Sequence, residues 1–277
     1  MNLFELTKGG REWNEDRCFV CKDFAFVLDG ATSLIGNKYS NFDSDAEWFS
    51  QTWKNYLQDQ LSNKSRSLSE IVKQGIEIIA DQYRNLAKGE KIEDFPSSAV
   101  TMFRINNDEI EYFALGDCSM LVLTHYNKCI HIVPEGNGRI DDINKNLIHY
   151  QAKKLNIGFL EARKQFNDYI VKGRLLKNKK GGYYTLSDNV VCVDHAVCGS
   201  FPKHIVKKIL LMSDGFSQVF DTFEIVSKEN LCKKINTYND AKKYFNKLEK
   251  QQNKDSLCNK HLRFKKQDDT TLVYYEF

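Results

Sequence analysis

Phe24-Ala25-Phe26-Val27-Leu28 runs without a polar residue into Asp29-Gly30. A short apolar stretch cut off by a carboxylate and a glycine reads as a strand buried on both faces, here over Phe24–Leu28. The same grammar returns late in the chain. Ile209-Leu210-Leu211-Met212-Ser213 enters Asp214-Gly215, and Asp268-Asp269 stands just before Thr271-Leu272-Val273-Tyr274-Tyr275. Each acidic site alone is an ordinary turn signal. Three in one chain, each held at the end of an apolar strand, are hard to attribute to turns.

Outward from Phe24, a shorter strand at Cys18–Cys21 precedes a turn near Lys22-Asp23. A helix is expected over Asp45–Leu61, where Trp48, Phe49, Trp53, Tyr56, Leu57 and Leu61 form one apolar stripe. A second is expected over about Ser67–Ala87. Ser67 and Glu70 have capping-box spacing, and Ile71, Val72, Ile78, Ile79, Tyr83 and Leu86 supply the core face. Strands follow at Val100–Ile105, Ile110–Leu115, Met120–Leu123 and Ile130–Val133, with a hairpin turn at Asn106-Asn107-Asp108. The segment from about 135 to 180 is polar, rich in Lys and Asn, and partly helical over Asn144–Val171. It reads as an insertion or mobile flap, and its Lys177-Asn178-Lys179-Lys180-Gly181-Gly182 end as a solvated loop. After Ile209–Met212 the pattern is helical to about Gln252, then Thr271–Tyr275 is the last strand. Strand runs separated by helix pairs suggest layered sheets with outer helices, an α+β architecture.

The chain has 277 residues, 42% hydrophobic and 28% charged, an ordinary globular composition. Its net charge of +3 is too small to argue for nucleic acid or a membrane surface. The opening residues lack a signal-peptide layout and no stretch is long enough to span a bilayer, so a cytoplasmic protein is expected. Eight cysteines are scattered and mostly lie inside apolar runs, which reads as free buried thiols. Cys18 and Cys21 form one CxxC, but no second pair or suitably spaced histidines follow to complete a zinc site.

Several carboxylates that converge without partners repel and raise one another's pKa, and divalent cations remove that penalty. Oxygen-only donors suit hard ions such as Mg²⁺ or Mn²⁺. Here the order of motifs becomes specific. Arg11 stands ahead of Asn14-Glu15-Asp16-Arg17, then come Asp29-Gly30, Ser97-Ser98-Ala99-Val100, Leu115-Gly116-Asp117-Cys118, Ser213-Asp214-Gly215 and Asp268-Asp269-Thr270-Thr271. This series resembles the protein phosphatase 2C family of metal-dependent serine/threonine phosphatases, bacterial type, from Arg11 to Val273.

The resemblance implies a single catalytic domain over 1–277, a four-layer α-β-β-α sandwich of two antiparallel sheets flanked by helix pairs. It implies two divalent cations, Mn²⁺ or Mg²⁺, with a third conceivable. Asp29 would bridge both, with the Gly30 carbonyl completing one site. Asp214 and Asp268 would bind one ion, and Glu15 and Asp16 would hold the other through water. Arg11 would bind the substrate phosphate, where a guanidinium offers two parallel hydrogen bonds; the plain alternative is a surface salt bridge with Glu12 or Glu15. The substrate would be a phosphoprotein, made by a Ser/Thr kinase, and the enzyme a monomer.

Departures from the family pattern are visible. Ala31 stands where many eukaryotic members carry a histidine proposed as the leaving-group acid. Cys118-Ser119 replaces the usual Ser-Arg, Asp269 replaces a common Asn, and Glu135 falls roughly where an aspartate helps bind a third metal. A haloacid-dehalogenase-like mechanism is set aside because Val27 occupies the position of its nucleophile. A P-loop kinase is set aside because no GxxxxGK[ST] occurs. Two other readings stay open: a pseudophosphatase that binds a partner without turnover, and a phosphatase of small phosphoesters with the flap closing over the ligand.

Overall fold

The structure is a computed structural model that describes residues 1–10, 12–136 and 138–277. Among the described residues the strands are β1 (Asn2–Lys8), β2 (Arg17–Val20), β3 (Phe24–Ala31), β4 (Ser97–Asn106), β5 (Glu109–Leu115), β6 (Ser119–Thr124), β7 (Cys129–Ile132), β8 (Val197–Pro202), β9 (Val206–Met212) and β10 (Thr270–Glu276). The α-helices are α1 (Asp45–Gln60), α2 (Leu68–Leu86), α3 (Arg139–Leu155), α4 (Phe159–Gln165), α5 (Asn167–Arg174), α6 (Asp214–Asp221), α7 (Lys228–Lys234) and α8 (Tyr238–Lys254).

Two five-stranded sheets result, one in the order β1-β10-β9-β6-β7 and the other β2-β3-β4-β5-β8. Every strand pairing within them is antiparallel. The alternation of a strand's side chains explains the layering. In β3, Phe24, Phe26 and Leu28 pack against α1 and α2, with Phe49, Trp53, Ile71 and Ile76. Ala25 and Val27 point the other way, into an inter-sheet core with Val122, Leu211 and Val273. In β9 and β10, Ile209, Leu211, Val273 and Tyr275 face the opposing sheet. Leu210, Met212, Leu272 and Tyr274 face Phe216, Leu231 and Phe245 of α6 to α8. Three apolar cores between four layers, two of helix and two of sheet, make the expected α-β-β-α sandwich.

The helices begin where their caps dictate. Ser67 and Glu70 form the full reciprocal capping box of α2, and Ser44 caps α1 by accepting from the Glu47 N–H. Phe49, Trp53, Leu57 and Leu61 are buried as expected, but Ile78 and Leu86 of α2 are exposed, and Ile76 takes the core position instead. Asn107, at φ 56°, makes the tight β4–β5 turn.

Several expectations need correction. β3 does not stop at Leu28. It continues through Asp29, Gly30 and Ala31, paired with Ala99, Ser98 and Ser97 of β4. Two strands escaped the sequence reading. β1 pairs along its whole length with β10, and β8 forms the edge beside β5. Cys21 lies just past β2 and, like the other seven cysteines, is free. The flap segment holds α3, α4 and α5, which share a small core of Ile148, Ala152, Phe159, Ala162 and Ile170 closed by Cys258. Its basic end is not simply solvated. The Lys177 ammonium is buried against Asp94 (2.9 Å) and also donates to the Phe95 carbonyl, pinning the flap beside the start of β4.

Candidate metal centre

Asp29 continues the alternation of Ala25 and Val27, so its carboxyl faces the gap between the sheets rather than the helices. Opposite, β9 delivers Asp214 as the first residue of α6, and β10 is preceded by Asp268. Asp29, Gly30, Asp117, Asp214 and Asp268 all line one cavity of about 760 Å³. Its far wall comes from the flap, with Ile140, Asp141, Lys145, Ile170 and Arg174. The sandwich thus opens at one end into an acidic basin that α3 and α5 partly roof.

Glycines allow the close approaches behind the basin. A Cβ on Gly215 would lie 1.9 Å from the Asp269 carbonyl oxygen, so only glycine lets the β10 entry press on the start of α6. A Cβ on Gly30 would meet Ser50 Oγ at 2.6 Å and the Glu15 carbonyl at 2.7 Å.

Burial pushes the Asp29 carboxyl well above the usual carboxylate range, and Asp16, Asp214 and Asp117 push it further. Asp214 is raised likewise, first by burial and then by Asp268 and Asp117, while Asp29 within hydrogen-bonding reach and Lys265 oppose the shift. Asp117 is pushed up to about 6 by burial and by Asp141. Asp16 is pushed up to about 7 by burial and by Asp269. The Ser213 and Thr271 hydroxyls near Asp16 pull the other way, yet neither of its oxygens closes a hydrogen bond of ordinary geometry. Like charges held together out of water are the common cause.

The expected site residues divide. Asp29, Gly30, Asp214 and Asp268 meet at the cavity. Asp16 sits fully buried behind Asp29, with both oxygens unpartnered. Glu15 is turned to structure: one oxygen accepts from Ser44 Oγ (2.6 Å), Trp13 Nε1 (3.3 Å) and the Thr32 hydroxyl, leaving the other oxygen buried and unpartnered. Glu135 is exposed and does not line the cavity; Asp141, in the first turn of α3, is the acid that faces Asp117. Arg11, expected to hold the phosphate, lies outside the described residues.

Asp117 lies within Leu115-Gly116-Asp117-Cys118, where the glycine precedes the carboxylate instead of following it, so the strand-Asp-Gly pattern of Asp29 and Asp214 passes over it. Asp269, noted only as an unusual residue, has a defined task. Its two carboxylate oxygens accept the backbone N–H groups of Gly10 and Glu15, each at 2.8 Å. That clamp brackets the segment between them.

Among the described residues, no three Asp, Glu, His or Cys side chains close on one point as a ready-made cage. The acids rim a basin instead. Three observations nevertheless fit hard cations. The cavity's convergent acids are oxygen donors, both Asp16 oxygens and one Glu15 oxygen have no partner, and the Lys265 ammonium stands 2.6 Å from Asp268 where positive charge is needed.

The family model for protein phosphatase 2C matches residues 11–263, and the chain belongs to that family. The expected enzyme class, a metal-dependent serine/threonine protein phosphatase, is the class of this family. No curated protein sequence matches the chain. Among solved structures, it is similar to the Mycobacterium tuberculosis serine/threonine phosphatase PstP/Ppp, at 15% identity and TM-score 0.57, over 99% of this chain and 97% of that one. PppA, described as a key regulatory component of T6SS in Pseudomonas aeruginosa, gives 12% identity and TM-score 0.57, over 100% and 97%. The Staphylococcus aureus phosphatase Stp1 gives 13% and 0.54, over 99% and 94%. At such identities the likeness is one of fold.

Proposed function

We propose that this chain hydrolyses phosphoserine and phosphothreonine monoesters on proteins, with two divalent cations held in the basin. The observation that carries the reading is the convergence of Asp29, Asp117, Asp214 and Asp268 on one cavity between the sheets, with Asp16 unpartnered behind them. Asp29, with the Gly30 carbonyl, Asp214 and Asp268 would hold the cations directly, and Asp16 would support them from behind with Glu15 braced beside it. When bound, the cations offset charge on the phosphoryl oxygens and acidify water. A solved structure of the PstP catalytic domain holds two manganese ions, which supports Mn²⁺ here; Mg²⁺ suits the same donors.

The chain's own residues do the rest. Phosphoryl transfer needs positioning and charge stabilisation more than covalent help. Arg11, from its place in the motif series, takes two phosphate oxygens. The Asp269 clamp fixes the backbone on both sides of it, at Gly10 and Glu15. Ala31 supplies no proton to the leaving alkoxide, so poor leaving groups should turn over slowly.

The reading extends to a single domain over 1–277 acting as a cytoplasmic monomer opposite a Ser/Thr kinase. Eight free thiols support a reducing compartment, and no helix among the described residues is long and apolar enough to cross a membrane. The partly roofed cavity favours one second reading, a small phosphoester as substrate.

The test is hydrolysis of p-nitrophenyl phosphate and a phosphothreonine peptide with Mn²⁺, Mg²⁺ or excess chelator, beside Asp214→Asn. Metal-dependent turnover that collapses in the variant supports the proposal, and preference for the peptide supports a protein substrate. A folded, metal-loaded protein that cleaves neither would leave partner binding without turnover as the better account.

A further inference from the structure

The seam between β7 and α7 is built of two rungs. On β7, Cys129 and His131 alternate to the face that meets the helices, while Ile130 and Ile132 pack into the inter-sheet core. On α7, Lys228 and Cys232 are one turn apart and share a face. The upper rung joins Lys228 Nζ to His131 Nδ1 at 3.1 Å, and both residues line the acidic cavity. The lower rung brings Cys129 of β7 and Cys232 of α7 into one packed cluster, their thiols within hydrogen-bonding reach of each other.

The two sulfurs are not equivalent. Cys129 is half-buried, with Sγ 4.0 Å from the Lys228 carbonyl oxygen. The Cys232 thiol, Lys233 and Lys228 together hold its pKa below the usual thiol value. Cys232 is fully buried and keeps its proton, raised first by its contact with Cys129 and then by burial. An accessible, thiolate-prone sulfur backed by a protonated one is the arrangement of an attacking and a resolving thiol. Elsewhere burial raises Cys18, Cys118, Cys192, Cys198 and Cys258, so none of these has that thiolate character.

We propose that Cys129 and Cys232 are a peroxide-oxidised dithiol that forms a reversible disulfide across the β7–α7 seam. The Cys129 thiolate, its proton released to solvent, attacks one oxygen of hydrogen peroxide and breaks the O–O bond, giving a sulfenic acid and a hydroxide that recovers that proton and leaves as water. The Cys232 sulfur then attacks the sulfenic sulfur, its proton leaving with the displaced hydroxyl as water. Peroxide is reduced to two waters and the two thiols become one disulfide. The bond would fix the cavity wall that carries Lys228 and His131. The proposal does not depend on the phosphatase reading.

The experiment uses the full chain with Cys198→Ser, which removes the exposed thiol free to cross-link molecules. Hydrogen peroxide is added, remaining thiols are alkylated in denaturant, and the peptides are mapped before and after dithiothreitol. A reducible link between the Cys129 and Cys232 peptides, and a melting temperature raised by peroxide, are expected. Cys129→Ser should leave Cys232 fully alkylatable. Cys232→Ser should leave Cys129 as a sulfenic acid that dimedone captures. Oxidation of Cys129 without a link to Cys232, a link from either to another cysteine, or two untouched thiols would each overturn the proposal.

Discussion

Asp214 and Asp29 reach across from different sheets, and their burial together is costly without cations. This makes opposite demands on one side chain. Asp214→Asn is expected to lower turnover by roughly 10²-fold or more, as loss of a metal-binding group does. In chelator the same variant should melt at a higher temperature than the parent, since a neutral amide relieves the repulsion. A variant that loses activity and also melts lower would mean the carboxylate is structural. Asp269 predicts the reverse pattern. Both its oxygens accept backbone N–H groups, so Asp269→Asn presents an amide N–H₂ to one donor. Leaving that donor unpaired should cost about 1–3 kcal/mol in urea unfolding, even though asparagine is common at this place in the family. The chain alone could show that Asp29, Asp214 and Asp268 were special, because each abuts an apolar strand. It could not show that Asp269 clamps Gly10, or that Asp141 rather than Glu135 faces Asp117. Those partners are fixed by how the flap and the β10 entry fold back, and no local pattern encodes it.

Among the elements, legibility followed burial. β3, β4, β9 and β10 have apolar runs on two buried faces and were evident as strands. β1 shows solvent much of its length, and β8, an edge strand containing Gly199 and Pro202, is mostly exposed; neither leaves a strong periodic signal. The α1–α2 pair was legible from its stripe and capping box, but its closeness was not. Gly75 in α2 lies so near α1 that an added Cβ would meet the Trp53 ring at 2.6 Å. Alanine is normally worth about 1 kcal/mol more than glycine inside a helix. Gly75→Ala should nevertheless destabilise, because overpacking costs about 1–3 kcal/mol where Trp53 is fully buried; denaturant unfolding reads the sign directly. Ser67→Ala removes the α2 cap and should cost about 1 kcal/mol in the same measurement.

For the whole molecule, the acid basin sets how stability responds to pH and to metal. Asp16 and Asp117 are pushed up to about 7 and about 6, above the unfolded value near 3.8. The folded state therefore binds more protons between those values, and metal-free stability should fall as pH rises from about 4 to about 7. Cation binding needs the carboxylates deprotonated, so the stabilisation by Mn²⁺ should grow over the same window. Thermal melts at about pH 5 and about pH 8, in chelator and in Mn²⁺, check both signs; a chelated protein that melts higher at the alkaline end would contradict the buried-acid account. The sheet order carries one more consequence. β10 lies between β1 and β9, with Asn2 opposite Glu276, and it is entered through Asp268 and Asp269. As the chain leaves the ribosome, β1 and β9 emerge with an open slot between them, and every other acid of the basin is made before that slot can fill. Until β10 docks, a nascent chain lacks both the clamp on Gly10 and one wall of the basin. Hydrolytic competence is thereby tied to the docking of β10, and chains in which it has not docked expose unpaired strand edges on β1 and β9 for chaperones or neighbouring chains to capture.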